Sequence, residues 1–279
     1  MGFSRLFLLL LSSAFHINLS SSEVAWYFRY NCSISDGYFT ANSPYEANLN
    51  RLFSQLSSDQ DFNYGFYNLS VGQSPDQVNA IALCRGDQKE NACRSCLIET
   101  IFLLQEVCPR NKEAIGWSKF CTVRYSTRKI IGVMEVDPFD QIHRFASHSV
   151  PHDVNDFDRA LSFLLKNLSV GAATGDSLFK CAAGSTVSSQ SIYAIMQCTP
   201  DLSHEDCSAC LATASGDRMR NFCYGKTGCR ILQPSCFLRY STGFFLDNSA
   251  KITIVPFSPP SPTPTEGSSP PPPTPTEGS

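Results

Sequence analysis

Two stretches of the chain carry apolar residues at helical spacing. In the first, Tyr45, Leu49, Leu52, Phe53 and Leu56 recur every three or four positions, the interval that lines side chains up on one face of a helix. Ser43 and Glu46 form a capping box at its start, and Pro44 takes the first helical position. In the second, Phe157, Leu161, Leu164, Leu165 and Leu168 repeat the intervals, opened by Asn155 with Asp158 three residues on. Both stripes predict core faces. Further helices are expected near residues 91–107 and 205–222. Short apolar runs at 80–84 and 192–198 read as strands, and Cys121-Thr122-Val123-Arg124-Tyr125 alternates with period two. Gln233-Pro234-Ser235, between Arg230-Ile231-Leu232 and Cys236-Phe237-Leu238, is a hairpin signal with proline confined to the turn.

This pattern occurs twice. Cys84, Cys93 and Cys96 share their spacing with Cys198, Cys207 and Cys210, 114 positions later, and Cys108 and Cys121 are matched by Cys223 and Cys236, 115 positions later. The extra residue is expected between helix and strand. Arg124-Tyr125-Ser126 recurs as Arg239-Tyr240-Ser241. So long a period means two tandem domains rather than a solenoid. The fold class expected is α+β: two disulfide-rich domains, each with two helices packed on an antiparallel sheet. Residues 23–136 form the first, 137–152 a linker and 153–257 the second.

The ends set the compartment. One positive charge, the run Leu6-Phe7-Leu8-Leu9-Leu10-Leu11 and a small-residue exit predict a signal peptide over residues 1–22. No other segment is long and apolar enough to span a bilayer. In an exported protein the 13 cysteines should be largely oxidised. Sequons at Asn31, Asn68 and Asn167 are the expected glycan sites, all three at the surface. Residues 258–279 are almost entirely Pro, Ser, Thr, Gly and Glu, the composition of an extended stalk. The location expected is secreted, outside the cell.

Net charge of −3 without a basic run leaves no field for nucleic acid. His143, His148 and His152 lack a supporting cysteine and read as linker residues rather than zinc ligands. No pairing of nucleophile and base, or of two carboxylates, suggests an enzyme, so no catalytic residue, metal or cofactor is expected. The Cys-x2-Cys pairs have no βαβ context for redox catalysis.

The segments Ala82-Leu83-Cys84-Arg85-Gly86-Asp87, Cys93-Arg94-Ser95-Cys96, Lys112-Glu113-Ala114-Ile115, Arg124-Tyr125-Ser126 and Gln233-Pro234-Ser235-Cys236 resemble the plant cysteine-rich repeat secretory proteins and the ectodomains of cysteine-rich receptor-like kinases, built from domains homologous to ginkbilobin, an antifungal seed protein. The resemblance implies bridges Cys32–Cys108, Cys84–Cys93, Cys96–Cys121, Cys198–Cys207 and Cys210–Cys236. Cys181, Cys223 and Cys229 stay unassigned, and an odd thiol leaves room for a disulfide-linked dimer. The sugar-binding member of the family uses an Asn after the first cysteine, an Arg six before the last and a Glu five after it. Here Ser33, Ile115 and Ser126 occupy those positions in the first copy. The second has no matching first cysteine and carries Ser241, so Arg230 alone remains as a ligand-binding candidate. The resemblance implies recognition of a cell-wall or microbial carbohydrate, or of an extracellular protein. The alternatives are a truncated receptor ectodomain or decoy acting through receptor pairing, and direct antifungal action.

Overall fold

The structure is a computed structural model that describes residues 27–58, 63–136, 148–151 and 153–257. The expected signal peptide and stalk, and His143 and His152 of the linker, lie outside the described residues.

The first domain runs β1 (Arg29–Tyr38), α1 (Pro44–Ser57), a single 3-10 turn (Asn63–Gly65), β2 (Phe66–Val71), β3 (Val78–Cys84), α2 (Glu90–Val107), β4 (Asn111–Trp117) and β5 (Cys121–Ser126). Its five strands form an antiparallel sheet in the order β1-β4-β5-β3-β2. The Ser43 hydroxyl accepts from the Glu46 amide at 3.3 Å, satisfying one of the first-turn donors that no intrahelical carbonyl reaches. The five residues of the α1 stripe are buried against the sheet.

The second domain runs α3 (Val154–Ala173), β6 (Cys181–Val187), β7 (Ser191–Cys198), α4 (His204–Ser215), α5 (Asp217–Cys223), β8 (Gly228–Leu232), β9 (Cys236–Ser241) and β10 (Thr253–Ile254). The sheet order is β10-β6-β7-β9-β8. Here β10 joins parallel to β6, so this sheet is antiparallel in all but its edge strand. Three sequence expectations change. The cap of α3 is Asp153, whose carboxylate accepts from the Asp156 amide at 2.9 Å, in place of Asn155 and Asp158. The helix expected over 205–222 breaks at Gly216, whose ψ of −132° is not helical. That break falls between Cys210 and Cys223, the interval holding the repeat's extra residue, so the insertion is taken up inside the helical region. Finally, Val150 is buried in the second domain's core and its amide donates to the Gly225 carbonyl at 2.9 Å. Residues 148–151, expected as linker, therefore pack as part of the second domain.

Six disulfides staple the two cores. Cys32–Cys108, Cys84–Cys93 and Cys96–Cys121 lie in the first domain, and Cys198–Cys207 and Cys210–Cys236 in the second. Of the three cysteines that the sequence left open, Cys223 is bonded to Cys229 and Cys181 is a free thiol.

Every residue of β3 is buried. Alternation explains how: Val78, Ala80, Ala82 and Cys84 face the helices, whereas Ile81 and Leu83 point to the opposite side. On β7, Ile192, Ala194, Met196 and Cys198 take the helix side and Ile195 the other. The outward sheet faces meet: Ile115 and Trp117 of the first domain pack with Leu232 and Phe237 of the second. The molecule is thus layered helices, sheet, sheet, helices, with one helical core on each outer side and a third packed zone between the domains.

Candidate functional site: the clefts between the domains

The seam between the sheets carries polar residues with specific partners. The Gln197 side chain on β7 donates to the Cys84 carbonyl at 2.9 Å and accepts from the Gly86 amide at 2.9 Å. Trp117, 2% exposed, donates its indole N–H to the Gln233 carbonyl at 3.4 Å. Arg124 on β5 lies between Glu113 and Glu135, at 3.0 and 2.6 Å. The Glu135 backbone in turn bonds Ser235 of the second domain. Arg85 chelates Asp87 through Nε and Nη2 at 2.5 and 2.8 Å and donates to the Phe245 carbonyl at 3.2 Å, while the Asp247 amide donates to Asp87 at 2.9 Å. Such buried pairs offset their desolvation only where the geometry is good and further hydrogen bonds satisfy the charged groups. Together they lock the domains in one arrangement.

Openings along the seam include two of different size. The first is a small pocket of about 30 Å³ between the β4–β5 turn and strands β8 and β9. Arg85, Lys119, Arg230 and Arg239 line it, with apolar walls from Leu83, Leu232 and Phe237 and no Asp or Glu. Arg230 and Arg239 stand directly opposite each other across β8 and β9, and like charges in that position repel. Burial, followed by the neighbouring arginines, holds both guanidinium groups down to about 10. The second opening is a groove of about 710 Å³, bordered by Tyr64, Gln88 and Lys89 of the first domain and Asp176, Phe179 and Lys251 of the second. The Tyr64 ring is 60% exposed and lies 5.9 Å from that of Phe179, across the domain boundary. Tyr64 adopts φ 53°, a left-handed conformation costing a non-glycine residue about 1–2 kcal/mol.

Arg230 is 4% exposed and donates to the Tyr27 carbonyl at 3.3 Å. Its position is the seam, not an open sugar cradle. Ser33, Ile115 and Ser126 are buried in the first domain, and Ser241 is half-buried. Asn68 and Asn167 are exposed. Asn31 departs from the expected surface position: it is half-buried and its Oδ1 is enclosed, because β1 turns it toward the face it shares with Ile115. Cys181 borders the wide groove, but its thiol packs under the 85–88 turn, and a Cβ on Gly86 would come within 2.7 Å of it. Burial pushes that thiol up to about 12. A thiol so held is a poor nucleophile, which weighs against the dimer link expected of the odd cysteine. His148 gives its carbonyl to the Thr227 amide. Among the described residues no three His, Cys, Asp or Glu side chains converge as a metal site, and no helix is long and apolar enough to cross a membrane.

Sequence reasoning missed Lys119, Arg239, Tyr64 and Phe179. Arg239 was visible only as part of the Arg-Tyr-Ser repeat. Tyr64 and Phe179 carry no local signal, since they meet only after the domains pack.

Comparison with known proteins agrees with this architecture. The model of the Salt stress response/antifungal family matches residues 31–128 and again 146–243. The chain is 38% identical over 228 residues to cysteine-rich repeat secretory protein 38 of Arabidopsis thaliana, covering 81% of this chain and 88% of that protein. It is also 38% identical over 240 residues to cysteine-rich receptor-like protein kinase 26 of Arabidopsis thaliana, covering 84% of this chain and 36% of the kinase. The chain thus spans about a third of the length of the kinase relatives. In fold it is similar to the tandem DUF26 ectodomain of the Arabidopsis thaliana cysteine-rich receptor-like protein PDLP8, with TM-score 0.63 and 24% identity, over 77% of this chain and 96% of that one. The PDLP5 ectodomain of the same organism gives TM-score 0.58 and 23% identity, over 78% and 100%. The secretory relative implies an extracellular location. With two matched copies spanning most of its length, the chain belongs to the Salt stress response/antifungal family, in the tandem form shared by cysteine-rich repeat secretory proteins and receptor ectodomains.

Proposed function

We propose that this protein is a secreted recognition protein of the apoplast, of the defence or stress type, that binds a cell-wall or microbial saccharide in the wide groove between its domains. The observation that carries this reading is the groove itself, in which the exposed Tyr64 ring from one domain adjoins Phe179 from the other. Aromatic faces accept the apolar side of a sugar ring, and the amide, ammonium and carboxylate groups of Gln88, Lys89 and Asp176 can orient its hydroxyls. Strain held at Tyr64 supports a functional constraint on that ring. A glycan array probed with the secreted protein tests the reading. Binding should fall about 10-fold or more in Tyr64→Ala, by analogy with the loss of a central aromatic contact. Signals unchanged by that substitution, or absent from the array, would reject it.

A second reading, a receptor ectodomain or decoy that acts through receptor pairing, is favoured by one surface feature. Ile98 and Phe102, one turn apart on α2, are 52% and 60% exposed. Capture of receptor ectodomains by the purified protein, abolished in Ile98→Ser/Phe102→Ser and accompanied by a blank glycan array, would favour it.

A further inference from the structure

The wide groove extends well beyond the aromatic pair of Tyr64 and Phe179. Phe179 lies two residues before β6, and the groove follows that strand through Cys181 and Ala183 to Thr253, which pairs with Gly184 across the β6–β10 ladder. From Cys181 to Gly184 an extended strand advances about 10 Å. Lys251 and Thr253 are exposed on this far stretch. The first domain can lie against the near stretch because Gly86 has no side chain: a Cβ there would come within 2.9 Å of the Phe179 ring and 2.7 Å of the Cys181 thiol. At about 710 Å³ the groove is well above the lower end, about 300 Å³, of small-molecule sites. A single sugar ring does not fill it.

The near end is also fixed in place. The Asp176 carboxylate accepts from the Leu178 and Phe179 amides, both at 2.8 Å. The Lys180 ammonium donates to the Gly175 carbonyl at 2.7 Å, closing the turn that presents Phe179. A platform held in this way loses little freedom when a ligand settles on it.

We infer that the groove takes a linear oligosaccharide of about three or four rings, a fragment of a polymer, rather than a free monosaccharide. One ring stacks on Tyr64 beside Phe179. The chain then continues along β6, and the Lys251 ammonium and Thr253 hydroxyl meet the hydroxyl groups of its farther rings. This rests on the reading of the groove as a saccharide site and adds the length of what it holds. Each further ring adds contacts without a second loss of translational and rotational freedom, so affinity climbs with chain length until the groove is full.

Calorimetric titration of the secreted protein with cello-, chito- and manno-oligosaccharides, each as the mono-, di- and tetrasaccharide, tests the assignment. In a series that binds, the tetrasaccharide should bind about 10-fold or more tightly than the disaccharide, and the monosaccharide should give no measurable heat. Lys251→Ala, at an exposed position outside the core, should weaken the tetrasaccharide about threefold and leave the disaccharide unchanged. Tyr64→Ala should weaken both. Equal affinity for di- and tetrasaccharide, the same response of both lengths to Lys251→Ala, or no binding by any of the three series would overturn the assignment. Binding that needs Tyr64 but does not grow with length would leave the saccharide reading standing and remove this inference alone, whereas a blank glycan array would remove both.

Discussion

The two domains share four strands but complete their sheets on opposite sides. Strands β4-β5-β3-β2 of the first correspond to β8-β9-β7-β6 of the second. The first domain adds β1 beside β4, whereas the second adds the two-residue β10 beside β6. The third disulfide follows this choice. In the first domain β1 brings Cys32 next to the end of α2, and Cys108 bonds to it across 76 positions. Among the described residues the second domain has no strand outside β8, and Cys223, which matches Cys108 in the repeat, bonds instead to Cys229 only six positions away. Duplication has thus preserved the pairings between the shared helix and strands, while the pairing to an added strand changed with that strand.

Loop length makes the comparison quantitative. By the chain-entropy argument the 76-residue closure is worth about 4.5 kcal/mol and the six-residue closure about 2 kcal/mol. Replacing both cysteines of Cys32–Cys108 with alanine should therefore destabilise the first domain about twice as much as the same change at Cys223–Cys229 destabilises the second. Chemical denaturation of the two double variants measures this, and equal losses would break the comparison.

Coupling between the domains provides the next test. Trp117 fills the zone between the sheets with Leu232 and Phe237, so Trp117→Ala should cost about 3–4 kcal/mol. It should also split a single unfolding transition into two, as calorimetry would reveal. A single transition retained at lower temperature would instead assign the coupling to the Arg85–Asp87 and Gln197 contacts.

A smaller effect distinguishes Cys181, which no disulfide uses. Its folded-state value lies near 12 against an ordinary value near 9. Folding therefore favours the protonated thiol, and that contribution is complete below about pH 9 and is lost as pH rises toward 12. Stability measured across this range should decline more steeply in the parent protein than in Cys181→Ala, and alkylation at pH 8 should require unfolding. Smallest of all in energy is the glycan pattern: site mapping by mass spectrometry should find Asn68 and Asn167 occupied and Asn31, half enclosed on β1, bare.

Much of each domain was legible in the chain. The α1 and α3 stripes lie where periodicity put them, because a helix that buries one face must repeat its apolar residues every three or four positions. The hairpin through Pro234 formed because proline tolerates the turn and not the ladder. The break at Gly216 was less visible, since a lone glycine is compatible with both a continuous and an interrupted helix. The seam was not legible at all. Ile81, Leu83 and Ile195 read simply as apolar strand residues, and only the packing of the second sheet explains why both faces of β3 are covered.

Sequence alone determined the duplication, the cysteine spacing and the helical faces, because each rests on intervals counted along one chain. Tertiary structure decided which edge received the fifth strand, which cysteine stayed free, and that Arg230 meets Arg239 in a pocket rather than open solvent. Those outcomes depend on contacts between separate elements, and such contact energies exist only once the chain has packed.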